Sequence, residues 1–267
     1  MRWLLAAAIA LSGCAELGGV GDYGSISVGK PSNGHLVAGA RMPDHGPGFT
    51  TRDLWRQRNN RYATDEMVEL ITAVARRMNA HVHDAELVVA DLSAKGGGDG
   101  GSAFHRSHQS GRDCDLVYYT RDAKGTPETP DSMRIFDPEG KAKDGSGIAI
   151  DFTRQWMLVR YLITAPEANV QWRFMYEPIA QKLLARAKEL GEPDAIIARA
   201  RATLKQPGDS ARHDDHMHVR IYCSAGDKEQ GCVDIGPMER LDREGLVADD
   251  TIPPEVQGQL HGVARLR

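Results

Sequence analysis

Two short runs hold the residues best suited to chemistry, His105-Arg106-Ser107-His108-Gln109-Ser110-Gly111-Arg112-Asp113-Cys114-Asp115 and His213-Asp214-Asp215-His216-Met217-His218. Between them they carry five of the chain's ten histidines. Imidazole and carboxylate groups bind divalent zinc, and a catalytic zinc site takes three protein ligands and keeps one position open for water. In the second run Met217, Val219 and Ile221 alternate with His216, His218 and Arg220, the pattern of a strand. His216 and His218 then project from one face with their backbones about 6.6 Å apart, so one ring can hold a metal while the other addresses its water. His108 falls in a loop and Asp115 in the strand that follows, and a turn at Gly111 can bring both to the same ion.

The expected ligand set is therefore His108, Asp115 and His218 around one zinc ion, with the fourth position free. Such an ion polarises a scissile amide carbonyl and lowers the pKa of its water to about 7. His216 is placed to take the proton and pass it to the leaving amine. His105 and His213 are further histidines beside these groups. Either could orient His216 or bind a developing oxyanion, and His105 could fill the open coordination position at rest; the residues alone leave these roles open. Asp113, Asp214 and Asp215 read as solvated groups or as partners of the ligands. Arg106, Arg112, Arg212 and Arg220 read either as surface charge or as groups that meet substrate carboxylates.

The elements that must position these residues are legible in part. Met67, Leu70, Ile71, Val74, Ala75 and Met78 fall on one stripe of a helix over Asp65 to Asn79, with Thr64 as its cap. Glu86 to Leu92 and Asp113 to Tyr119 read as strands. In the latter Cys114, Leu116 and Tyr118 face one side and Asp113, Asp115 and Val117 the other. Residues 121 to 150 predict a long excursion with at most a short hairpin around Asp137-Pro138-Glu139-Gly140, of the kind that walls a cleft. Helices are expected over Phe152–Ile163, Ile179–Leu190 and Pro193–Leu204, with a strand at Gln171–Tyr176 and another at Met217–Cys223. Leu36 to Phe49 is turn-rich.

Composition bounds the rest. A hydrophobic fraction of 41% and a charged fraction of 26% suit a globular chain. The net charge of -4, or -5 once residues 1–13 and their single arginine are removed (32 basic against 37 acidic), gives no basic face for nucleic acid. Met1-Arg2-Trp3 followed by apolar Leu4 to Leu11 has the layout of an export signal, too short to span a bilayer. Leu11-Ser12-Gly13-Cys14 looks like a bacterial lipobox; the alternative is an ordinary cleaved signal with Cys14 incidental. We expect a signal peptide over 1–13, a flexible glycine- and serine-rich tether over 14–35, a single domain over 36–240 and a peripheral tail over 241–267. A disulfide between Cys223 and Cys232 would close a short loop, leaving Cys114 as a buried thiol.

Ser107-His108-Gln109-Ser110-Gly111 continuing to Asp115, with His216-Met217-His218-Val219-Arg220, resembles the penicillin-insensitive murein endopeptidases. These share a zinc peptidase superfamily with lysostaphin-type enzymes, D-alanyl-D-alanine metallopeptidases and hedgehog domains. The shared pattern is a histidine, six residues, an aspartate, then a distant His-x-His; His105 and His213, each three residues before a site histidine, narrow it to the murein branch. The resemblance implies zinc ligands at His108, Asp115 and His218, a general base at His216, and flanking site residues at His105 and His213. It also implies an α+β fold, a small antiparallel sheet carrying the zinc site with helices packed around it. The implied reaction is β-lactam-insensitive hydrolysis of D-alanyl to meso-diaminopimelyl cross-links in peptidoglycan, with cross-linked stem peptides as partner. The implied setting is periplasmic, with membrane attachment only through a lipid on Cys14. Two other readings of the same residues are a zinc-bound but non-catalytic peptidoglycan-binding lipoprotein and a non-haem iron oxygenase.

Overall fold

The computed structural model describes residues 24–82, 86–98, 106–208 and 210–238. The signal segment 1–13, Cys14, His105 and the tail 241–267 lie outside the described residues.

The strand Asp113–Val117 and the strand His216–Ile221 form as the alternation predicts, and they pair with each other. They belong to a four-stranded sheet in the order Leu204–Lys205, Val170–Phe174, His216–Ile221, Asp113–Val117. Pairing is antiparallel except at one edge, where Leu204–Lys205 runs parallel to its neighbour. The register sets His218 opposite both Asp115 and Phe174, and Arg220 opposite both Asp113 and Trp172. Because strand side chains alternate, one face of this sheet collects the polar residues and the other collects Cys114, Leu116, Met217, Val219 and Ile221, all buried in the main core.

Helices cover that apolar face. Asp65–His81 begins where expected: the Thr64 hydroxyl accepts a hydrogen bond from the Met67 amide at 3.4 Å, and the apolar stripe is buried. Phe152–Thr164 is buried almost throughout, so it lies inside the packing rather than on its surface. Glu177–Glu189 and Asp194–Thr203 complete the layer, each within two residues of its expected ends. Burial of each large apolar side chain here contributes about 1.5–3 kcal/mol. The fold is α+β, as expected.

Three expectations are corrected. The proposed tether ends early, because Ile26–Lys30 and Asn33–Val37 form an antiparallel hairpin, Ile26 opposite Val37 and Lys30 opposite Asn33. Its few apolar residues give no periodic signal, and it is held from outside: the Gly29 amide donates to Gly231 O, and the Val233 amide donates to Gly29 O. Arg112 is the second correction, since it is wholly buried rather than surface charge. Its guanidinium donates to Ser27 Oγ (3.1 Å), Asp234 Oδ1 (3.0 Å) and Val233 O (3.0 Å), with longer bonds to Ile221 O and Gly29 O. A buried cation is tolerable only when its donors are met in this way. Third, residues 120–150 hold more regular structure than a loop with one hairpin. Thr120–Arg121 pairs with both Pro127–Glu128 and Ala149–Ile150, and a turn at Asp137–Gly140 sits beside a bridge between Phe136 and Ala142.

The disulfide Cys223–Cys232 is present and ties the end of the His216–Ile221 strand to the segment that covers Arg112. Cys114 is a free thiol in the core, facing away from the polar residues. No helix among the described residues is long and apolar enough to cross a membrane.

Candidate functional site

The loop before the Asp113–Val117 strand is bent into left-handed backbone twice. Gly111 has φ 79°, and a Cβ there would lie 2.7 Å from Leu36 Cδ1 and 3.1 Å from the Thr64 amide, so only glycine fits the turn. His108 has φ 69°, a conformation uncommon for a residue with a side chain and one that collects at functional sites. The cost is met by two bonds: its amide donates to Asp113 Oδ2 (3.3 Å), and its ring Nδ1 lies 3.0 Å from Leu92 O. A carbonyl can only accept, so Nδ1 carries the proton and the Nε2 lone pair points inward.

His218 arrives at the same point with the opposite ring nitrogen. Its Nε2 donates to Asp113 Oδ1 at 2.7 Å, which leaves the Nδ1 lone pair 3.2 Å from Asp115 Oδ1. His108 Nε2 is 3.3 Å from that same oxygen. All three residues are nearly sealed from solvent, at 4% exposure for His108, 1% for Asp115 and 5% for His218. Two imidazole lone pairs and a carboxylate oxygen thus converge with their electron-rich sides together. Such a set is stable only around a proton or a cation, and the donor types are those a zinc ion takes. The structure brings together the expected triad of His108, Asp115 and His218, with ligand atoms mutually within 4.8 Å.

His216 stands beside the triad. Its Nδ1 donates to Asp215 Oδ1 at 2.6 Å, and its Nε2 lies 3.3 Å from Asp115 Oδ1. His213 is 9% exposed, with its ring centroid 5.2 Å from that of His216 and 5.7 Å from that of His218. Its Nδ1 is buried without a hydrogen-bond partner among the described residues. His213, His216 and His218 also form a set within 4.8 Å, three imidazoles that zinc accepts as donors as well. His105 lies outside the described residues, so its expected place by the metal is not located.

Charge distribution follows from burial and these partners. Burial alone would raise the Asp113 carboxyl, yet Arg220 and then His218 hold it far below the usual carboxylate range. Asp115 is likewise held well below that range, against burial, by His108 and His216. His213 moves the other way: burial, then His218 and His216, push it down to about 3, so its ring stays neutral. For His216, burial favours the neutral ring, but Asp115 and Asp215 outweigh it and raise it to about 10.

Of four further contributors, Asp113 and Asp215 were left open between solvated groups and partners of the ligands, and Leu92 and Phe174 were not assigned from sequence. Asp113 receives both His218 and the Arg220 Nε (2.7 Å), Asp215 receives His216, Leu92 O fixes the His108 ring, and Phe174 packs its ring 5.2 Å from that of His218. For Asp113 a signal existed, since it stands two residues before Asp115 on the same strand face. Leu92 and Phe174 gave none, because a backbone carbonyl and a register partner have no motif.

An α+β chain whose sheet turns two imidazoles and a carboxylate to one point, with a third imidazole beside them, has the donor set of a metal-dependent enzyme. The comparisons narrow this class. A family profile described as penicillin-insensitive murein endopeptidase matches residues 27–245. A penicillin-insensitive murein endopeptidase of Klebsiella pneumoniae subsp. pneumoniae is 26% identical over 241 residues, covering 87% of this chain and 78% of the relative. The enzyme of the same description from Klebsiella pneumoniae strain 342 matches with the same identity and coverage. The chain belongs to the penicillin-insensitive murein endopeptidase family, and is a peptidase of the peptidoglycan-hydrolase kind. That membership sets aside the oxygenase reading.

Proposed function

We propose that this protein is a zinc-dependent endopeptidase that hydrolyses D-alanyl to meso-diaminopimelyl cross-links of peptidoglycan. In this reading it is exported by the signal over 1–13 and held at the periplasmic face of a membrane by a lipid on Cys14. The observation that carries the catalytic part is the inward convergence of His108 Nε2, His218 Nδ1 and Asp115 Oδ1, each ring pinned at its other nitrogen.

When bound there, zinc supplies Lewis acidity that polarises the scissile carbonyl and acidifies a water. The chain's own residues do the rest. Leu92 O and Asp113 hold the two ligand rings in the tautomers that present lone pairs. His216 Nε2 takes the proton of the attacking water, and Asp215 steadies the imidazolium that results. A cation held by Asp115 would weaken that carboxylate's pull on His216 and so leave the ring able to accept a proton at neutral pH. His216 then protonates the leaving amine. His213, kept neutral, offers an N–H toward the oxygen that gains charge. None of these groups is a serine nucleophile, so a β-lactam finds nothing to acylate.

The test is purified protein incubated with cross-linked peptidoglycan, with and without a chelator, the products read by mass. Dimeric muropeptides should become monomers bearing a new D-alanyl carboxylate and a new diaminopimelyl amine, and chelation should stop this until zinc is returned. Dimers that persist with zinc-loaded protein would end the proposal.

A further inference from the structure

Beside the histidines lies a second pattern that the hydrolytic chemistry does not use. Along Val170–Phe174, Arg173 turns inward and is fully buried, whereas Trp172 and Phe174 alternate onto the side of the sheet that carries His218; Tyr176, two residues past the strand and packed in part against the core, follows them in the chain. Each of the three rings is faced by a basic group. Lys205 Nζ is 5.2 Å from the Trp172 centroid, Arg220 Cζ is 5.2 Å from that of Phe174, and Arg212 Cζ is 5.3 Å from that of Tyr176. The row abuts the site: Phe174 packs against His218 and His213, and the Tyr176 amide donates to His213 O at 2.9 Å.

The three cations are not equivalent. Arg220 is half-buried and pairs with Asp113. Lys205 and Arg212 are exposed, and neither forms an ion pair among the described residues. In a chain of net charge -4, two unneutralised cations have been set at the ends of one aromatic row. The four residue steps from Trp172 to Tyr176 span at most about 13 Å, the length of about four residues of extended peptide. An aromatic face holds an ammonium or guanidinium in place while leaving its outer N–H groups for a ligand, and carboxylates are the matching acceptors.

We infer that this row is a carboxylate-binding ledge that seats an acidic stem peptide beside the hydrolytic groups, Lys205 and Arg212 receiving its free carboxylates. The inference rests on the peptidoglycan reading above and adds how the substrate is aligned. A diaminopimelyl residue keeps a carboxylate outside the cross-link, which supplies the complementary charge.

Binding tests it separately from cutting. Zinc-loaded full-length protein carrying His216→Ala is titrated with a fluorescently labelled cross-linked stem-peptide dimer, and with the same dimer after its free carboxylates are amidated. Lys205→Gln and Arg212→Gln should each weaken binding of the unmodified dimer by up to about 5-fold, and by about 20-fold together, with less salt dependence. Amidation should cost the protein with the ledge intact a comparable factor and the double variant almost nothing. Equal affinity of the double variant for the unmodified dimer, or an equal loss on both dimers, overturns the ledge. If protein with His216 restored cuts the dimer but binding ignores both cations, the ledge fails and the peptidase reading stands; if the ledge pattern holds but the dimer is never cut, the reverse is true.

Discussion

Asp113→Asn isolates the part of the site that orients rather than ligates. Asp113 is fully buried, and its Oδ1 receives His218 Nε2 and Arg220 Nε, each at 2.7 Å, while its Oδ2 receives the His108 amide at 3.3 Å. The asparagine has the same shape but no charge and only one accepting oxygen. With its oxygen toward His218, its NH2 opposes the His108 amide, donor against donor. Flipped, it pushes the His218 proton onto Nδ1 and removes the lone pair turned toward Asp115. Either way His218 loses the carboxylate that makes it a strong donor, and loss of such a partner costs about 10- to 100-fold in metal affinity or activity. That corresponds to about 1.4–2.7 kcal/mol. Stability should fall too, by about 1–3 kcal/mol, because the half-buried Arg220 is left without its counter-charge. Zinc affinity is read by competition with a chromophoric chelator, and turnover of muropeptide dimers at saturating zinc. A variant that binds zinc within twofold of the parent and turns over normally would show that Asp113 does not set the His218 ring, and the tautomer argument would fall with it.

Three further outcomes are expected. His216→Ala should keep zinc within about twofold but lose about 10²- to 10⁴-fold in hydrolysis; undiminished turnover would remove His216 as base. Replacing Cys223 and Cys232 by serine should lower stability in urea by about 2.5–3 kcal/mol, since the cross-link closes a short loop, and an unchanged midpoint would refute that. His213 has a pH signature: its folded-state value of about 3 lies below the unfolded 6.5. Between these values the unfolded chain binds the extra proton, so stability falls as pH falls through this window and the contribution is intact above 6.5. Going from pH 7 to 4.5 in chelator, the parent should lose about 2–3 kcal/mol more than His213→Gln. Parallel pH curves for the two would contradict the burial argument.

The legible parts of the sequence were those in which local pattern and tertiary role coincide. Alternation around His216 and His218 stated both a strand and which residues share its polar face. The stripe from Met67 to Met78 with Thr64 before it stated a helix and its start. What stayed hidden depends on partners distant in the chain. The hairpin over 26–37 has little apolar alternation of its own and is fastened by Arg112 and the segment around 231–233, so it reads as tether until those contacts are known. Arg112 itself looks like any exposed arginine; only the three strands and loops that meet around it show why it is inside.

The proposed division of labour between His216 and His218 shows how far spacing can go. Two residues apart on a strand, the rings share a face and a neighbour: Asp115 Oδ1 lies 3.3 Å from one and 3.2 Å from the other. Spacing alone cannot say which holds the metal. The difference lies in their outer partners and depth. His218 packs against Phe174 with Asp113 behind it, and Asp113 is itself paired with Arg220, so this ring is fixed and nearly closed off from solvent. His216 is more exposed and leans on Asp215, which is in contact with solvent. In the proposed mechanism a ligand must stay still and a base must gain and lose a proton, and two histidines of one strand backed by carboxylates at different depths suit those two roles.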